Sequence, residues 1–281
     1  MSTVRSIPAP QAQAAARRTW SDELGRTCLY AVPEDPRFSY CMVVPHGLHR
    51  AAGGRIPLVV AVHGTERDAT GMRDALTPWA TAHDVAVLAP LFPAGVGEDG
   101  DPDDVDAYKL LRLGSLPFDD VLMAMVRDAT MRIGPVGERL HLVGFSGGAQ
   151  FVLRFTYLHP ERVASASVAA PGRVTLLDAD LDWWQGTRDV ATITGRAVDL
   201  EQLRCVTLQL VVGARDDDPH SPRTQRARLL YDNLRGHALD VHLDVVPGAR
   251  HDLTPLVPAI TEFLGDLLSP PGRNVECHPS Q

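Results

Sequence analysis

The sequence predicts an α/β fold, a mostly parallel central sheet with helices on both faces. Short apolar runs rich in Val, Leu and Ala have the length of strands buried on both sides. Stretches with helical apolar spacing separate most of these runs, the pattern of strands joined by helical crossovers. The length of 281 residues fits one large unit of this kind.

The elements read in order as follows. Cys28–Ala31 and Phe38–Val44, divided by Pro and Asp, form an antiparallel hairpin added to the sheet. Pro57–Val62 is the first parallel strand, Met72–His83 the helix after it, and Val85–Leu91 the next strand. The helix Asp119–Ile133 leads to the strand Leu140–Gly144, and the helix Ala149–His159 leaves it. Val163–Ala169, Val206–Val212 and Val241–Val246 complete the strands. The helix Pro222–Leu234 precedes the last of them, and Thr254–Leu268 closes the domain.

One stretch, Arg173 to Leu203, breaks the alternation and carries Trp183-Trp184. It reads as an excursion over the C-terminal edge of the sheet, a candidate cap insertion (173–203) shaping a pocket. The alternative is a surface insertion whose tryptophans pack back on the core. The domain is expected over 21–268, with a flexible N-terminal arm over 1–20 and a disordered tail over 269–281.

Composition excludes several classes of function. Hydrophobic content of 44% and charged content of 22% are those of a soluble globular protein. The net charge of −8, with no basic patch, argues against a nucleic-acid partner. No window is apolar enough to span a bilayer, and Met1–Arg18 has no secretory stretch, so a cytoplasmic location is expected. Four cysteines are too few and too scattered for a disulfide framework or a zinc site; Cys28 and Cys41, on paired strands, would stay reduced. His46 and His49 are too isolated to be metal ligands. Glu98–Asp106 lacks the glycine and terminal glutamate of a calcium loop and reads as a solvated acidic loop. At the rim of a pocket it would disfavour anionic substrates. No phosphate-cradling loop or dinucleotide fingerprint occurs, so neither cofactor nor metal is expected.

The chemistry is carried by Gly144-Phe145-Ser146-Gly147-Gly148. An apolar strand runs into it and a helix leaves it, the strand–turn–helix setting of a nucleophile elbow. The turn is tight, so its neighbours must be small, and Ser146 is lifted toward solvent at a helix N-terminus. A serine hydroxyl becomes a useful nucleophile only when a base takes its proton and a third group orients the base. Asp216, Asp217 and Asp218 follow one strand, and His251 lies in the loop after another, on the edge where Ser146 emerges. Asp216 is the favoured acid, with Asp217 its competitor. His251 is the favoured base; His242 sits inside a strand and reads as structural, and His220 lies on the acid loop. The oxyanion of acyl transfer needs fixed donors. Gly147 N–H is one candidate, and Thr65 N–H, in His63-Gly64-Thr65-Glu66, is the other, with Glu66 second. His63 reads as a support for that loop. Phe145, Glu66, Trp183 and Trp184 are candidate pocket residues.

The ordered motifs His63-Gly64, Gly144-x-Ser146-x-Gly148, Gly213-x-x-Asp216 and Gly248-x-x-His251 resemble the α/β-hydrolase superfamily over about residues 25 to 268. Val59–Pro90 and Gly144–Gly172 are similar to its polyhydroxybutyrate-depolymerase, feruloyl-esterase and dienelactone-hydrolase-like branch. The resemblance implies the α/β-hydrolase fold and a cofactor-independent serine hydrolase acting on an ester of a small or medium soluble molecule. Amide, lactone or carbon–carbon bonds are the alternative targets of the same three residues. A ligand-binding protein without catalysis is the other reading.

Overall fold

The computed structural model describes residues 24–268 apart from 51–53, 97–100, 102, 114–115 and 219–220. The expected arm, the tail and His220 lie outside the described residues.

The central sheet has nine strands. Six are parallel, in the order β5 (Ala86–Leu91), β4 (Leu58–Val62), β8 (Leu140–Phe145), β9 (Val163–Ala169), β10 (Thr207–Gly213) and β13 (Val241–Val246). Antiparallel strands extend the β5 edge. β3 (Ser39–Val44) pairs with β5, and β1 (Gly25–Arg26) and β2 (Tyr30–Ala31) both pair with β3. The β2–β3 hairpin follows the sequence expectation, whereas β1 is too short to leave an apolar pattern. Two further ladders, β6 (Arg112–Leu113) with β7 (Leu116–Pro117) and β11 (Asp217–Asp218) with β12 (Ser221–Pro222), lie off the sheet.

Alternating side chains on each strand feed two separate cores. On β3 and β4, Tyr40, Met42, Leu58 and Val60 face a core shared with α2 (Phe118–Ile133), α3 (Gly147–Leu158) and α6 (Arg223–Gly236). Cys41, Val43, Val59 and Ala61 face a second core built with α1 (Ala69–Ala82) and α7 (Val257–Leu268). Every residue of β4 is buried, as a strand covered on both faces requires. Cys41 is buried and Cys28 exposed, and both are free thiols.

Helix starts depart from the apolar pattern where polar capping decides. α1 begins three residues before the periodic Met72 because Asp68 accepts a hydrogen bond from Gly71 N–H at 2.7 Å. The stretch 173–203 holds two short helices, α4 (Val190–Thr194) and α5 (Leu200–Leu203). It touches both flanking helices. Leu177 is hydrogen-bonded to Asn233 of α6, and Arg196 donates to Leu158 O at the end of α3.

A buried polar group ties α2 to β3. The Tyr40 hydroxyl donates to Asp128 at 2.5 Å, and Arg132 Nε donates to both at 3.0 Å. Asp128→Ala removes the acceptor and strands the tyrosine proton, at a cost of about 2–3 kcal/mol. Tyr40→Phe removes the proton as well and is expected to cost only about 1 kcal/mol. Urea unfolding of the two variants checks this order.

Candidate active site

The parallel register delivers the site loops to one edge. Val62 lies opposite Gly144, Phe145 opposite Ala169, and Gly213 opposite Val246. The loops after β4, β8, β10 and β13 therefore emerge together.

The turn after β8 is as tight as its glycines imply. A Cβ on Gly144 would lie 2.3 Å from Gly148 O, and one on Gly148 would lie 2.2 Å from Val62 O. Ser146 takes the strain between them, with φ 54° and ψ −107°. Such a conformation costs roughly 1–3 kcal/mol in a non-glycine residue. Its N–H is anchored to Ala169 O at 2.8 Å, and α3 begins at the next residue.

Ser146 Oγ lies 3.0 Å from His251 Nε2, and His251 Nδ1 lies 2.8 Å from Asp216 Oδ2. Asp216 is only 3% exposed. Arg223 Nη1 donates to its other oxygen at 3.1 Å, which fixes the rotation of the carboxylate. Asp217 points elsewhere and accepts from Thr224 N–H at the start of α6. The His251 ring stacks on Phe145 at 4.9 Å between centroids. The two loops can meet because Gly213 has no side chain: a Cβ there would lie 2.4 Å from Ala249 O.

The loop after β4 is held from below by His63. Phe92 N–H donates to His63 Nε2 at 3.0 Å, so Nδ1 carries the proton and donates to Gly64 O at 2.7 Å. Thr65 then lies beside Gly147, since a Cβ on Gly147 would come within 3.1 Å of Thr65 Oγ1. Among the described residues neither Thr65 N–H nor Gly147 N–H donates to a backbone carbonyl in a loop or cap.

Two cavities meet at Ser146. One, about 500 Å³, is lined by Glu66, Met72, Phe145, His251 and Leu253. The other, about 430 Å³, is lined by Lys109, Gln150, Arg173, Trp184, Arg223 and Arg226, and Thr65 borders both. Of the candidate pocket residues, Glu66 and Phe145 line the first cavity and Trp184 the second. Trp183 does not line either cavity; it is partly buried and packs against the core. Of the described residues of the acidic loop, Asp106 lines the second cavity, and it pairs with Lys109 at 2.5 Å. The cations of that cavity were missed because Arg173, Arg223 and Arg226 look like surface residues in sequence and converge only through the fold. No described cluster of His, Cys, Asp or Glu could hold a metal ion, and no described helix is long and apolar enough to cross a membrane.

No protein-family model matches the chain, and no curated protein sequence matches it. Solved structures do. Poly(aspartic acid) hydrolase-1 from Sphingomonas sp. KT-1 is similar with a TM-score of 0.68 at 20% identity, covering 85% of this chain and 98% of that one. A poly(3-hydroxybutyrate) depolymerase from Bordetella parapertussis is similar with a TM-score of 0.68 at 22% identity, covering 89% and 94%. The S-formylglutathione hydrolase of Staphylococcus aureus has a TM-score of 0.58 at 15% identity, covering 86% and 97%. With the sheet order and the turn at Ser146, these likenesses establish that the chain has the α/β-hydrolase fold.

His63 also generates a pH dependence. Burial, with a smaller push from Arg67, lowers its pKa to about 4 from an ordinary 6.5. Between these values the unfolded chain binds a proton that the folded one does not, so stability falls as pH drops through that window. The loss in the wild type between about pH 7.5 and about pH 4.5 should exceed that of His63→Gln by roughly 2–3 kcal/mol. Urea unfolding at the two pH values measures it; His141, lowered to about 4 by burial, contributes a similar slope to both proteins.

Proposed function

We propose that the protein is a cofactor-independent serine hydrolase that cleaves a carboxylic ester of a small or medium soluble molecule. The observation that carries this reading is the unbroken chain from Ser146 Oγ through His251 to Asp216, with contacts of 3.0 and 2.8 Å. It starts from a serine held in a strained backbone conformation at the N-terminus of α3. The names of the structural neighbours, which include an esterase, a carboxylesterase and a ferulic acid esterase, agree with it.

In this reading Asp216 accepts a hydrogen bond from His251 Nδ1–H, which keeps the proton on Nδ1 and leaves Nε2 free to act as base. Ser146 Oγ attacks the ester carbon as its proton passes to Nε2. The carbonyl oxygen gains the electron pair and lies against Thr65 N–H and Gly147 N–H, donors of the kind worth about 3–4 kcal/mol in such a transition state. Collapse breaks the bond to the alkoxy oxygen, which leaves with the proton from His251. Water then gives a proton to Nε2 and attacks the acyl carbon. The second collapse frees the acid and returns the proton to Oγ.

The geometry separates the two neighbouring aspartates. Asp216→Asn is expected to lower kcat for an activated ester by about 10⁴-fold, because the imidazole loses its orienting carboxylate. Asp217→Asn keeps a side-chain oxygen that can accept from Thr224 N–H and should leave kcat within a few-fold. Equal losses in the two variants would contradict the assignment.

A further inference from the structure

The two cavities at Ser146 differ in charge. Among the described residues lining the 430 Å³ cavity, Lys109, Arg173, Arg223 and Arg226 face one carboxylate, Asp106. Lys109 pairs with Asp106, and Arg223 with Asp216. Arg173 forms no ion pair with any described carboxylate and lies over the Trp184 ring, 5.1 Å from its centroid. Arg226 hydrogen-bonds the Gly172 carbonyl; burial first, then the charges of Arg223 and Arg173, pull its pKa down. Behind Trp184 lies a further cation, Arg154, fully buried, with its guanidinium 5.5 Å from that ring. Arg154 donates only to the neutral oxygens Thr175 Oγ1 and Lys109 O, and its Nη2 has no described partner. Gathering cations in a recess costs desolvation and mutual repulsion, both of which a bound anion relieves. In a chain of net charge −8, this concentration of cations is not a by-product of composition.

The orientation of a bound ester follows from the same two cavities. His251 must reach the leaving oxygen to protonate it, and it lines only the other cavity. The leaving group therefore departs on that side, and the acyl chain extends into the cationic recess.

We propose that the acyl chain of the substrate ends in an anionic group, held in this recess by Arg173 and Arg226. This rests on the serine-hydrolase reading of Ser146 and adds its acyl specificity. A carboxylate is the form tested, because a guanidinium fork matches it with two parallel hydrogen bonds.

The test compares mono-4-nitrophenyl glutarate with 4-nitrophenyl pentanoate, whose acyl chains have equal length and differ in a terminal carboxylate against a methyl. Rates without enzyme are subtracted. The wild type is expected to show a kcat/KM about tenfold or more higher for the glutarate, the value of one good charge-assisted contact. Arg173→Gln and Arg226→Gln should bring that ratio close to unity, mainly through KM for the glutarate, and Arg173→Lys, which keeps the charge without the fork, should retain only part of it. Arg173 is exposed, so its variants decide the matter if Arg226→Gln fails to fold by circular dichroism. A wild type with no preference for the glutarate, or a preference that survives both glutamine substitutions, overturns the proposal. If neither ester is hydrolysed, the serine-hydrolase reading falls with it; hydrolysis of the pentanoate without a glutarate preference removes the anion site alone.

Discussion

The close approach of Gly144, Gly148 and Val62 is the constraint on which the rest of the site depends. The carbonyl of Val62 and the backbone of Gly148 meet where any side chain would clash, so β8 can turn into α3 only through a residue with positive φ. That residue is Ser146. The turn is stiff because its two sides belong to different elements, β4 and α3, each locked into a buried core. A stiff turn holds the hydroxyl at one place, and the loops after β10 and β13 then have a fixed target. The parallel register brings those loops to the same edge, and the absence of a side chain at Gly213 lets them touch.

Polar groups around the site divide into those that hold the frame and those that face the cavities. His63 is entirely buried and serves the frame: both its nitrogens are used, one by Phe92 and one by Gly64. Arg223 does both. It fixes the carboxylate of Asp216 and lines both cavities, which links the orientation of His251 to the charge of the recess. In the proposed reaction that arrangement gives one cavity to the leaving group and the other to the acyl chain. The acyl side is the charged one.

Much of this was legible in the sequence, for reasons that can be named. The strands from Leu58 to Val246 announce themselves because burial on both faces demands continuous apolar runs. The turn at Ser146 is legible because its sterics demand glycines at fixed spacing. Asp216 and His251 follow from their positions just beyond strand ends. Asp216 and Asp217, however, differ by one residue in a loop, and only the fold shows that Asp217 turns back to Thr224. The short strand β1 and the helices α4 and α5 left no periodic signal because each spans fewer residues than a period needs to be read. The cationic lining of the 430 Å³ cavity was not legible. The acidic stretch is visible as a run, whereas Arg173, Arg223 and Arg226 come from two separate segments, and Lys109 from a third.

The central claim is that Ser146, in its folded setting, is the nucleophile. Intact-protein mass after treatment with a fluorophosphonate, followed by peptide mapping, tests it most directly. The account predicts a single adduct on Ser146, lost in His251→Ala and lost when the protein is unfolded in urea before treatment. No adduct on the folded protein, or an adduct on another residue, would contradict it.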